Sequence, residues 1–368
     1  MNSVGETTLE INLNALAHNF KYLKGKLRPT TKFLAVVKAF AYGSDMVAVA
    51  QKLEALKVDY FAVAYVKEGV LLREAGIKTP ILVLHPQPIN FEKLIANCLE
   101  PSLYAPKMLR QFVQVVTAMK QKNYPVHLKF NTGLNRLGFW ENDVDYILEH
   151  TQKDDCLKIV SAFSHLAASE DEGEKEFSLR QIDTFRKITE ELEEKLGYTP
   201  VRHILNTSGI INYPDAQFEM VRSGIGLYGY GNDSKIDAEL QPVATLTTVI
   251  SQRHKIEPGE TVGYNRAFAS TGYRITATLP IGHADGIGRH YGGGSTVVLV
   301  NGQKAPIIGN VCMDMIMIDV TNIDCKEGDP VLLFGDDQSA EAFAQSANTI
   351  SYEILTAISQ RVTRKIKG

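Results

Sequence analysis

The sequence predicts an α/β fold in two parts. These are an N-terminal (β/α)8 barrel of the TIM type over residues 1–235 and a C-terminal, mainly antiparallel β domain over residues 236–368. A chain of 368 residues exceeds one simple core, which favours two domains. Strand-length apolar runs alternate with helix-periodic segments over about the first 225 residues. Beyond residue 233 the alternation stops and short strands dominate, and the first residues of the chain are left open as a further part of the β domain.

Eight apolar runs support the barrel. The predicted strands are Phe33–Lys38, Tyr60–Ala64, Ile81–His85, Glu100–Tyr104, Val126–Phe130, Ile159–Ser164, Val201–Leu205 and Met220–Arg222. Helical periodicity covers a segment with Leu16, Phe20, Leu23 and Leu27, then Met46–Leu56, Val66–Ala75, Phe91–Ala96, Pro106–Met119, Asp143–Thr151 and Phe177–Leu196. Eight strands in roughly 200 residues fit a closed barrel better than an open sheet. A dinucleotide-binding open sheet is disfavoured, because residues 38–43 hold a single glycine.

The C-terminal part is predicted from short strands separated by turns. The strands are Thr245–Ile250, Ile275–Pro280, Thr296–Val300, Ala305–Ile308, Met315–Val320 and Pro330–Phe334. Asn301-Gly302 between two of them is a strong signal for a two-residue hairpin. A closing helix is predicted near Tyr352–Ser359.

The composition argues against several classes of function. Hydrophobic residues at 44% and charged residues at 22% are typical of a globular protein. A net charge of -3 gives no reason to expect nucleic acid or an anionic membrane as partner. No apolar run reaches a membrane span and the polar first ten residues lack a signal-peptide core, so we expect a cytoplasmic location. The four cysteines lack C-x-x-C spacing and residues 170–174 indicate a solvated charged loop, so no metal site is predicted.

Lys38 is the leading candidate for chemistry. It follows a buried β-branched run and precedes a tight Tyr-Gly turn. Desolvation at such a place disfavours the ammonium form, which makes the amine a usable nucleophile or base. This is the environment that a Schiff-base lysine needs. A surface lysine just past a core strand remains the alternative from this segment alone.

Other polar residues follow the predicted strands, where the active sites of such barrels lie. Arg136 comes after the fifth strand and His165 after the sixth. The loops 206–209 and 223–226, after the seventh and eighth strands, are rich in hydroxyls and glycine, which suits a phosphate. Ordinary turns have the same composition, so the phosphate site depends on the nearby Lys38 and Arg222.

Three loops of the second domain are further candidates. Residues 263–265 present a tyrosine after a turn, and residues 280–286 and 309–314 are polar loops after strands. Each of them, taken singly, is better explained by a structural loop than by a site.

Eight short segments in register resemble the alanine racemases, bacterial pyridoxal-phosphate enzymes of the barrel-plus-β-domain class. The matching segments are 35–43 (AVVKAFAYG), 129–138 (KFNTGLNRLG), 164–167 (SHLA), 222–229 (RSGIGLYG), 262–264 (VGY), 282–286 (GHADG), 311–314 (VCMD) and 351–355 (SYEIL). They run in the same order over nearly the whole chain. The resemblance implies a racemase that interconverts L-alanine and D-alanine for peptidoglycan, by two-base proton transfer on substrate bound to pyridoxal 5'-phosphate. It also implies a homodimer with shared active sites.

The resemblance assigns roles residue by residue. Lys38 and Tyr264 are the two catalytic bases, Tyr264 reaching the site from the partner subunit. Arg136 and the Met313 amide bind the substrate carboxylate, and Lys129, His283 and Asp314 support the site. The cofactor-binding set is Lys38, Tyr42, His165, Asn206, Thr207, Ser208, Arg222, Gly224, Ile225 and Tyr352. Arg222 is expected opposite the pyridine nitrogen, with His165 between Arg222 and Tyr264.

The sequence departs from the family pattern at several positions. Phe40 stands where asparagine is usual, and Ser44-Asp45 where histidine-glycine is usual. Asn131 replaces a common aspartate, and Asn265 a common glycine. His283 replaces the tyrosine that lines the substrate entrance, and histidine titrates near neutrality.

Rival functions remain at this stage. A racemase for serine or a broader set of amino acids would use the same scaffold. A pyridoxal-phosphate decarboxylase has a similar architecture but draws a cysteine rather than a tyrosine base from its second domain, so Tyr264 favours racemisation. A barrel-only cofactor carrier would lack the β domain.

Overall fold

The computed structural model describes residues 6–152, 155–231 and 234–368, which form a parallel sheet of eight strands and a second sheet of nine. The first strand of the chain, β1 (Thr8–Asn12), belongs to the second sheet. The parallel strands are β2 (Lys32–Val36), β3 (Tyr60–Val63), β4 (Ile81–Val83), β5 (Glu100–Leu103), β6 (Tyr124–Lys129), β7 (Leu157–Phe163), β8 (Val201–His203) and β9 (Met220–Ser223). The remaining strands are β10 (Ala244–Val249), β11 (Gln252–Ile256), β12 (Thr261–Val262), β13 (Phe268–Ala269), β14 (Arg274–Leu279), β15 (Val297–Val300), β16 (Gln303–Ile308), β17 (Ile316–Asp319), β18 (Pro330–Phe334) and β19 (Thr363–Lys367).

Helices connect the parallel strands. They are α1 (Leu13–Gly25), α2 (Lys38–Tyr42), α3 (Met46–Ala55), α4 (Val66–Glu74), α5 (Phe91–Ala96), α6 (Pro106–Ala118), α7 (Val144–Thr151), α8 (Lys175–Leu196) and α9 (Thr207–Asn212), followed by α10 (Ser234–Asp237), α11 (Ala340–Gln345) and α12 (Ser351–Ala357). Short 3-10 turns include Ile225–Tyr228, Tyr264–Arg266 and His283–Asp285.

The parallel sheet curls into a barrel in the order β8-β7-β6-β5-β4-β3-β2-β9. The Arg222 amide on β9 donates to the Leu205 carbonyl just beyond β8 at 3.0 Å, which brings the two ends of the sheet together. The strand ends therefore converge on one rim, which is the usual location of the active site in this architecture. The predicted fold class, a TIM-type barrel with a mainly antiparallel β domain, is confirmed.

The second sheet has the order β11-β14-β17-β16-β15-β18-β10-β1-β19. β1 pairs antiparallel with β10 and parallel with β19, so the start of the chain lies among its last strands. The side chain of Asn12 then caps α1 by accepting bonds from the amides of Asn14 and Ala15. The predicted hairpin is confirmed, because β15 and β16 pair across Asn301-Gly302, both with positive φ. The domain boundary at residue 235 stays a prediction.

Two kinds of element differ from the sequence prediction. The first barrel strand ends at Val36, not at Lys38, because the backbone then turns left-handed. β11, β19 and the two-residue pair β12 and β13 were not predicted. The exposed, charged faces of β11 and β19 hide the alternation that identifies a half-buried strand.

Candidate active site

A cavity of about 660 Å³ opens at the carboxyl ends of the barrel strands. Its lining holds four cationic side chains and, among the described residues, no carboxylate. The polar lining includes Lys38, Lys129, Arg136, His165, Arg222 and Tyr352. Such an excess of positive charge suits an anionic ligand.

Lys38 reaches this cavity from a left-handed turn. Ala39, Phe40, Ala41 and Tyr42 all have φ of 54° or 55°, and Gly43 follows with φ 78°. Left-handed backbone is unfavourable for residues with a Cβ, so contacts must hold this turn in place. Glu68 of α4 provides them, since its carboxylate accepts from the amides of Ala39 at 2.7 Å, Ala64 at 2.7 Å and Tyr65 at 3.2 Å.

Burial and neighbouring cations lower the pKa of two lysines. Burial, and then the charge of Arg136, lowers the pKa of Lys38, while Glu68 opposes this shift. Burial is also the largest cause that lowers the pKa of Lys129 to about 8, with Arg136 and Arg222 adding to it. The lowered pKa of Lys38 agrees with the reactive amine expected from the sequence.

Arg222 lies at the buried end of the cavity. Its Nη2 donates to the carbonyl oxygens of Ser164 at 2.6 Å and Ile204 at 3.1 Å, and it contacts Nδ1 of His165 at 3.3 Å. Burial lowers the pKa of Arg222 to about 9, so the guanidinium stays charged at neutral pH. Burial, and then Arg222, lowers the pKa of His165 well below its usual value, so His165 is neutral and accepts through Nδ1.

The loops after β8 and β9 meet at one corner of the cavity. Thr207 Oγ1 lies 3.0 Å from Ser223 Oγ and accepts a bond from the Gly226 amide at 3.3 Å. Asn206 caps α9 by accepting from the Gly209 amide at 2.9 Å. Thr207, Gly224 and Ile225 line the cavity together with Tyr42, so residues of both loops face the same space.

Ser208 is placed differently from its neighbour Thr207. It is buried, and its hydroxyl donates to the carbonyl of Gly231 at 3.4 Å. Unlike Thr207, it is absent from the lining of the cavity.

The second-domain residues lie at another place on the same chain. Tyr264 is 71% exposed and, with Met313 and Asp314, lines a separate cleft of about 360 Å³. None of these residues lines the cavity that holds Lys38. One chain alone therefore does not bring the two predicted bases into the same cavity.

The loops beside Tyr264 are tied together by Arg361. Its Nε donates to Asp285 at 2.6 Å, and its Nη2 donates to Asp314 at 2.5 Å. The amide of His283 donates to the Cys312 carbonyl at 3.0 Å, which joins the same two loops. Asp314 and His283 thus belong to the framework of this cleft.

Comparisons with known proteins agree with this architecture over the whole chain. Residues 11–232 match the alanine racemase N-terminal domain and residues 243–366 match the alanine racemase C-terminal domain. The chain belongs to the alanine racemase family. The alanine racemase of Thermodesulfovibrio yellowstonii is 38% identical over 364 residues, covering 97% of this chain and 96% of that protein.

Solved structures of alanine racemases have the same fold. The enzyme of Clostridium difficile 630 superposes with a TM-score of 0.92 at 34% identity, covering 98% of this chain and 96% of that one. The enzyme of Bartonella henselae, with covalently bound pyridoxal phosphate, superposes with a TM-score of 0.90 at 28% identity, covering 99% of this chain and 100% of that one. The family and its isomerase activity are therefore as the sequence predicted, with pyridoxal phosphate as cofactor, and the decarboxylase and serine racemase are not favoured.

The cavity of this alanine racemase family member fits that cofactor. An amine of lowered pKa, Lys38, lies in it, and hydroxyls and amides lie at its loop corner. A Cβ on Gly224 would overlap the Tyr42 hydroxyl, so glycine keeps the corner open. Two side-chain features are absent among the described residues: a carboxylate in the cavity lining and a cluster of three or more metal ligands.

In the described part of the chain, no helix has the length and apolarity needed to cross a bilayer.

Sequence reasoning missed three residues that shape the site. Glu68 holds the left-handed turn, His203 accepts from Arg222, and Tyr228 stacks on Tyr42 with ring centroids 4.6 Å apart. Glu68 has a weak sequence signal, because it is the N3 residue of a helix, where an acidic side chain caps. His203 has no such sequence signal, because a single polar residue in an apolar strand is usually a core residue with its hydrogen bonds satisfied.

Proposed function

We propose that this alanine racemase moves the α-proton of alanine between two bases, Lys38 and the Tyr264 of a second copy of the chain. The product D-alanine would supply peptidoglycan synthesis in the cytoplasm. Inversion of a stereocentre needs one proton carrier on each face of the carbon, and an amine and a phenol provide them. The observation that carries the proposal is the amine of lowered pKa in a cavity whose described lining holds no carboxylate.

Pyridoxal phosphate, when bound, withdraws electrons from the α-carbon and so acidifies its proton. Lys38 would bind it covalently and then act as the base on one face. Tyr42, Asn206, Thr207, Ser208, Gly224, Ile225 and Tyr352 are proposed for its phosphate end. Ser208 would act mainly through its backbone or by holding the loop, because its hydroxyl is bonded to Gly231.

Arg222 is proposed to face the ring nitrogen of the cofactor. A charged guanidinium donates hydrogen bonds but is a poor proton donor. It would therefore leave the ring nitrogen unprotonated, which limits electron withdrawal by the ring and disfavours side reactions such as transamination.

We propose that His165 stabilises the basic form of the second base, Tyr264. Free tyrosine is a weak base at neutral pH. Because Nδ1 of His165 accepts from Arg222, the ring proton of neutral His165 lies on Nε2 and is free to donate outward. A hydrogen bond from that N–H to the Tyr264 oxygen would stabilise its phenolate form.

Substrate orientation is proposed to depend on Arg136. Its guanidinium lines the cavity and suits a carboxylate, with the amide of Met313 from the second copy as a further donor. Lys129 would support Arg136, in a carbamylated form that removes the repulsion between the two cations.

A homodimer is proposed because the β domain exposes its predicted base. Tyr264 is 71% exposed, Met313 59% and Met315 50%, and all three border one cleft. Exposed apolar side chains around a cleft are typical of an interaction surface. A two-fold dimer would bring the Tyr264 of each copy to the cavity of the other.

The proposal is tested by incubating each alanine enantiomer with the enzyme in heavy water. Racemisation should yield the mirror form with deuterium at the α-carbon, and carbon dioxide release would instead indicate a decarboxylase. The same assay with serine and the other amino acids measures substrate breadth.

Tyr264→Phe should slow this exchange by about 10²–10⁴-fold while cofactor binding is kept. Tyr273→Phe is the matched control, since Tyr273 is also an exposed tyrosine of the β domain. Unchanged turnover in Tyr264→Phe would point to Tyr65 or Tyr352, which line the cavity of the same chain.

A further inference from the structure

A row of hydrogen-bonded side chains crosses the barrel interior behind Arg222. Its Nη1 lies 2.7 Å from Nδ1 of His203, and Nε2 of His203 lies 3.0 Å from Ser161 Oγ. Ser161 Oγ lies 2.5 Å from Nδ1 of His127, whose Nε2 lies 2.7 Å from Glu100 Oε2. The row thus joins the cavity end of the barrel to a carboxylate.

The row is buried except at its last member. His203 and His127 have no exposed surface and Ser161 has 1%. Glu100 is the first residue of β5, at the opposite end of the barrel from the cavity, and its side chain is 13% exposed. The four residues stand on the neighbouring strands β8, β7, β6 and β5, so adjacent strands place each pair in contact.

The chemistry of the two ends fixes the direction of every bond. A guanidinium can only donate, so Nδ1 of His203 accepts and its proton lies on Nε2. That proton is donated to Ser161, whose hydroxyl then donates to Nδ1 of His127. The remaining proton of His127 lies on Nε2 and is donated to Glu100, and an ionised carboxylate can only accept.

The opposite arrangement leaves a group unsatisfied. If Nδ1 of His127 carried a proton, Ser161 would receive bonds from both histidines, and no other acceptor for its hydroxyl occurs among the described hydrogen bonds. A buried polar hydrogen without a partner is costly. Burial, then Arg222 and His127, lowers the pKa of His203 well below its usual value, in agreement with a neutral ring.

Among the described residues, no carboxylate pairs directly with the buried cation Arg222. The described contacts of Arg222 are carbonyl oxygens and two histidine nitrogens, and it forms no ion pair with a carboxylate in the described part of the chain. A buried charge needs compensation, and aligned hydrogen bonds polarise one another across a dry interior. Glu100 is the negative end of such an aligned row.

We propose that Glu100 is a positioning residue for Arg222, acting through His127, Ser161 and His203. The row draws the Nη1 proton of Arg222 towards His203 and so weakens the bond that the same guanidinium donates to the cofactor ring nitrogen. This rests on the proposed placement of Arg222 opposite that nitrogen. The negative charge on Glu100 would therefore set how strongly the ring withdraws electrons.

The first test needs no cofactor chemistry. In holoenzyme with ¹⁵N-labelled histidine, NMR should find His127 and His203 neutral, each with its proton on Nε2. A proton on Nδ1 of either ring, or a charged ring, would contradict the proposed direction of the hydrogen bonds in the row.

The second test follows the ¹⁵N resonance of cofactor labelled at the ring nitrogen. Glu100→Gln keeps an acceptor for His127 but removes the charge, so the resonance should move towards that of protonated pyridine. Ser161→Ala breaks the row and should move it in the same direction. Tyr60→Phe is the matched control, because Tyr60 donates to Glu100 at 3.3 Å from outside the row.

Arg222→Lys distinguishes a failure of the hydrogen-bonded row from a failure of the proposed placement of Arg222 opposite the ring nitrogen. If Arg222→Lys shifts the resonance and Glu100→Gln does not, the row is overturned while the proposed function stands. If neither variant shifts it, Arg222 does not face the ring nitrogen, and the proposed placement and the row both fail.

Discussion

Gly224 leaves the space that the hydroxyl of Tyr42 occupies, since a Cβ on Gly224 would overlap that oxygen. Tyr42 cannot easily move away, because it is buried and its ring stacks on Tyr228. The closeness of these two residues shapes the corner of the cavity proposed for the phosphate.

Gly224→Ala should therefore weaken cofactor binding by at least tenfold, equivalent to about 1.4 kcal/mol. Titration of apoenzyme with pyridoxal phosphate measures this. The double variant Gly224→Ala/Tyr42→Phe removes the overlapping oxygen and should recover part of the affinity. Gly272→Ala, where a Cβ meets nothing within 4 Å, is the control. Wild-type affinity in Gly224→Ala would contradict the close packing.

Glu68→Ala should loosen the turn that presents Lys38. The substitution leaves the partly buried amides of Ala39 and Ala64 without their acceptor, and an unsatisfied buried donor costs about 1–3 kcal/mol. We expect a lower melting temperature and roughly tenfold weaker cofactor binding. Glu74→Ala, at an exposed position of the same helix, should change neither quantity. Equal effects of the two substitutions would show that Glu68 does not specifically hold the turn that presents Lys38.

Phe40→Asn should stabilise the protein. Phe40 is 47% exposed and has φ 54°, a conformation that asparagine adopts more readily than phenylalanine. A gain of about 0.5–1 kcal/mol in the free energy of unfolding is expected, and thermal unfolding measures it. Leu179→Asn changes an exposed apolar residue of the helix α8 and should give no gain. A lower melting temperature for Phe40→Asn would mean that the phenyl ring makes favourable contacts.

Lys129 should make stability depend on pH above about 8. Its pKa is about 8 in the folded chain against an ordinary value of 10.5, so the unfolded chain binds more protons between these values. The cost of burying the charge is present in full below pH 8 and is relieved as the pH rises towards 10.5, by at most about 1.4 kcal/mol per pH unit.

Unfolding of wild type and Lys129→Met at several pH values measures this relief. The buffers must be free of carbon dioxide, which would convert a neutral amine to its carbamate. The stability difference should shift in favour of wild type as the pH rises. Lys122→Met provides the exposed control. A stability difference between wild type and Lys129→Met that stays constant or falls as the pH rises would mean that folding does not lower the pKa of Lys129.

Much of the site follows from local sequence. Apolar runs locate the barrel strands, and polar residues at or just beyond their carboxyl ends, such as His165, Asn206 and Arg222, line one cavity. Strand ends are visible locally because the change from buried to polar side chains occurs within a few residues.

Other features depend on contacts between distant segments. The left-handed turn at Ala39 is held by Glu68, 29 residues away, and β1 pairs with strands near the end of the chain. The bonds from Arg222 to Glu100 connect five separate strands. Local propensity contains no information on such pairings, so they were not predictable from one sequence.

The most direct test of the shared active site is to mix two inactive variants. Lys38→Ala lacks one base and Tyr264→Phe the other, and a mixed dimer holds one cavity with both bases intact. Random exchange of subunits in an equal mixture should restore about a quarter of wild-type racemisation, since half the dimers are mixed and half of their sites are intact. A mixture that exchanges subunits but stays inactive would contradict the claim that the second base comes from a neighbouring chain.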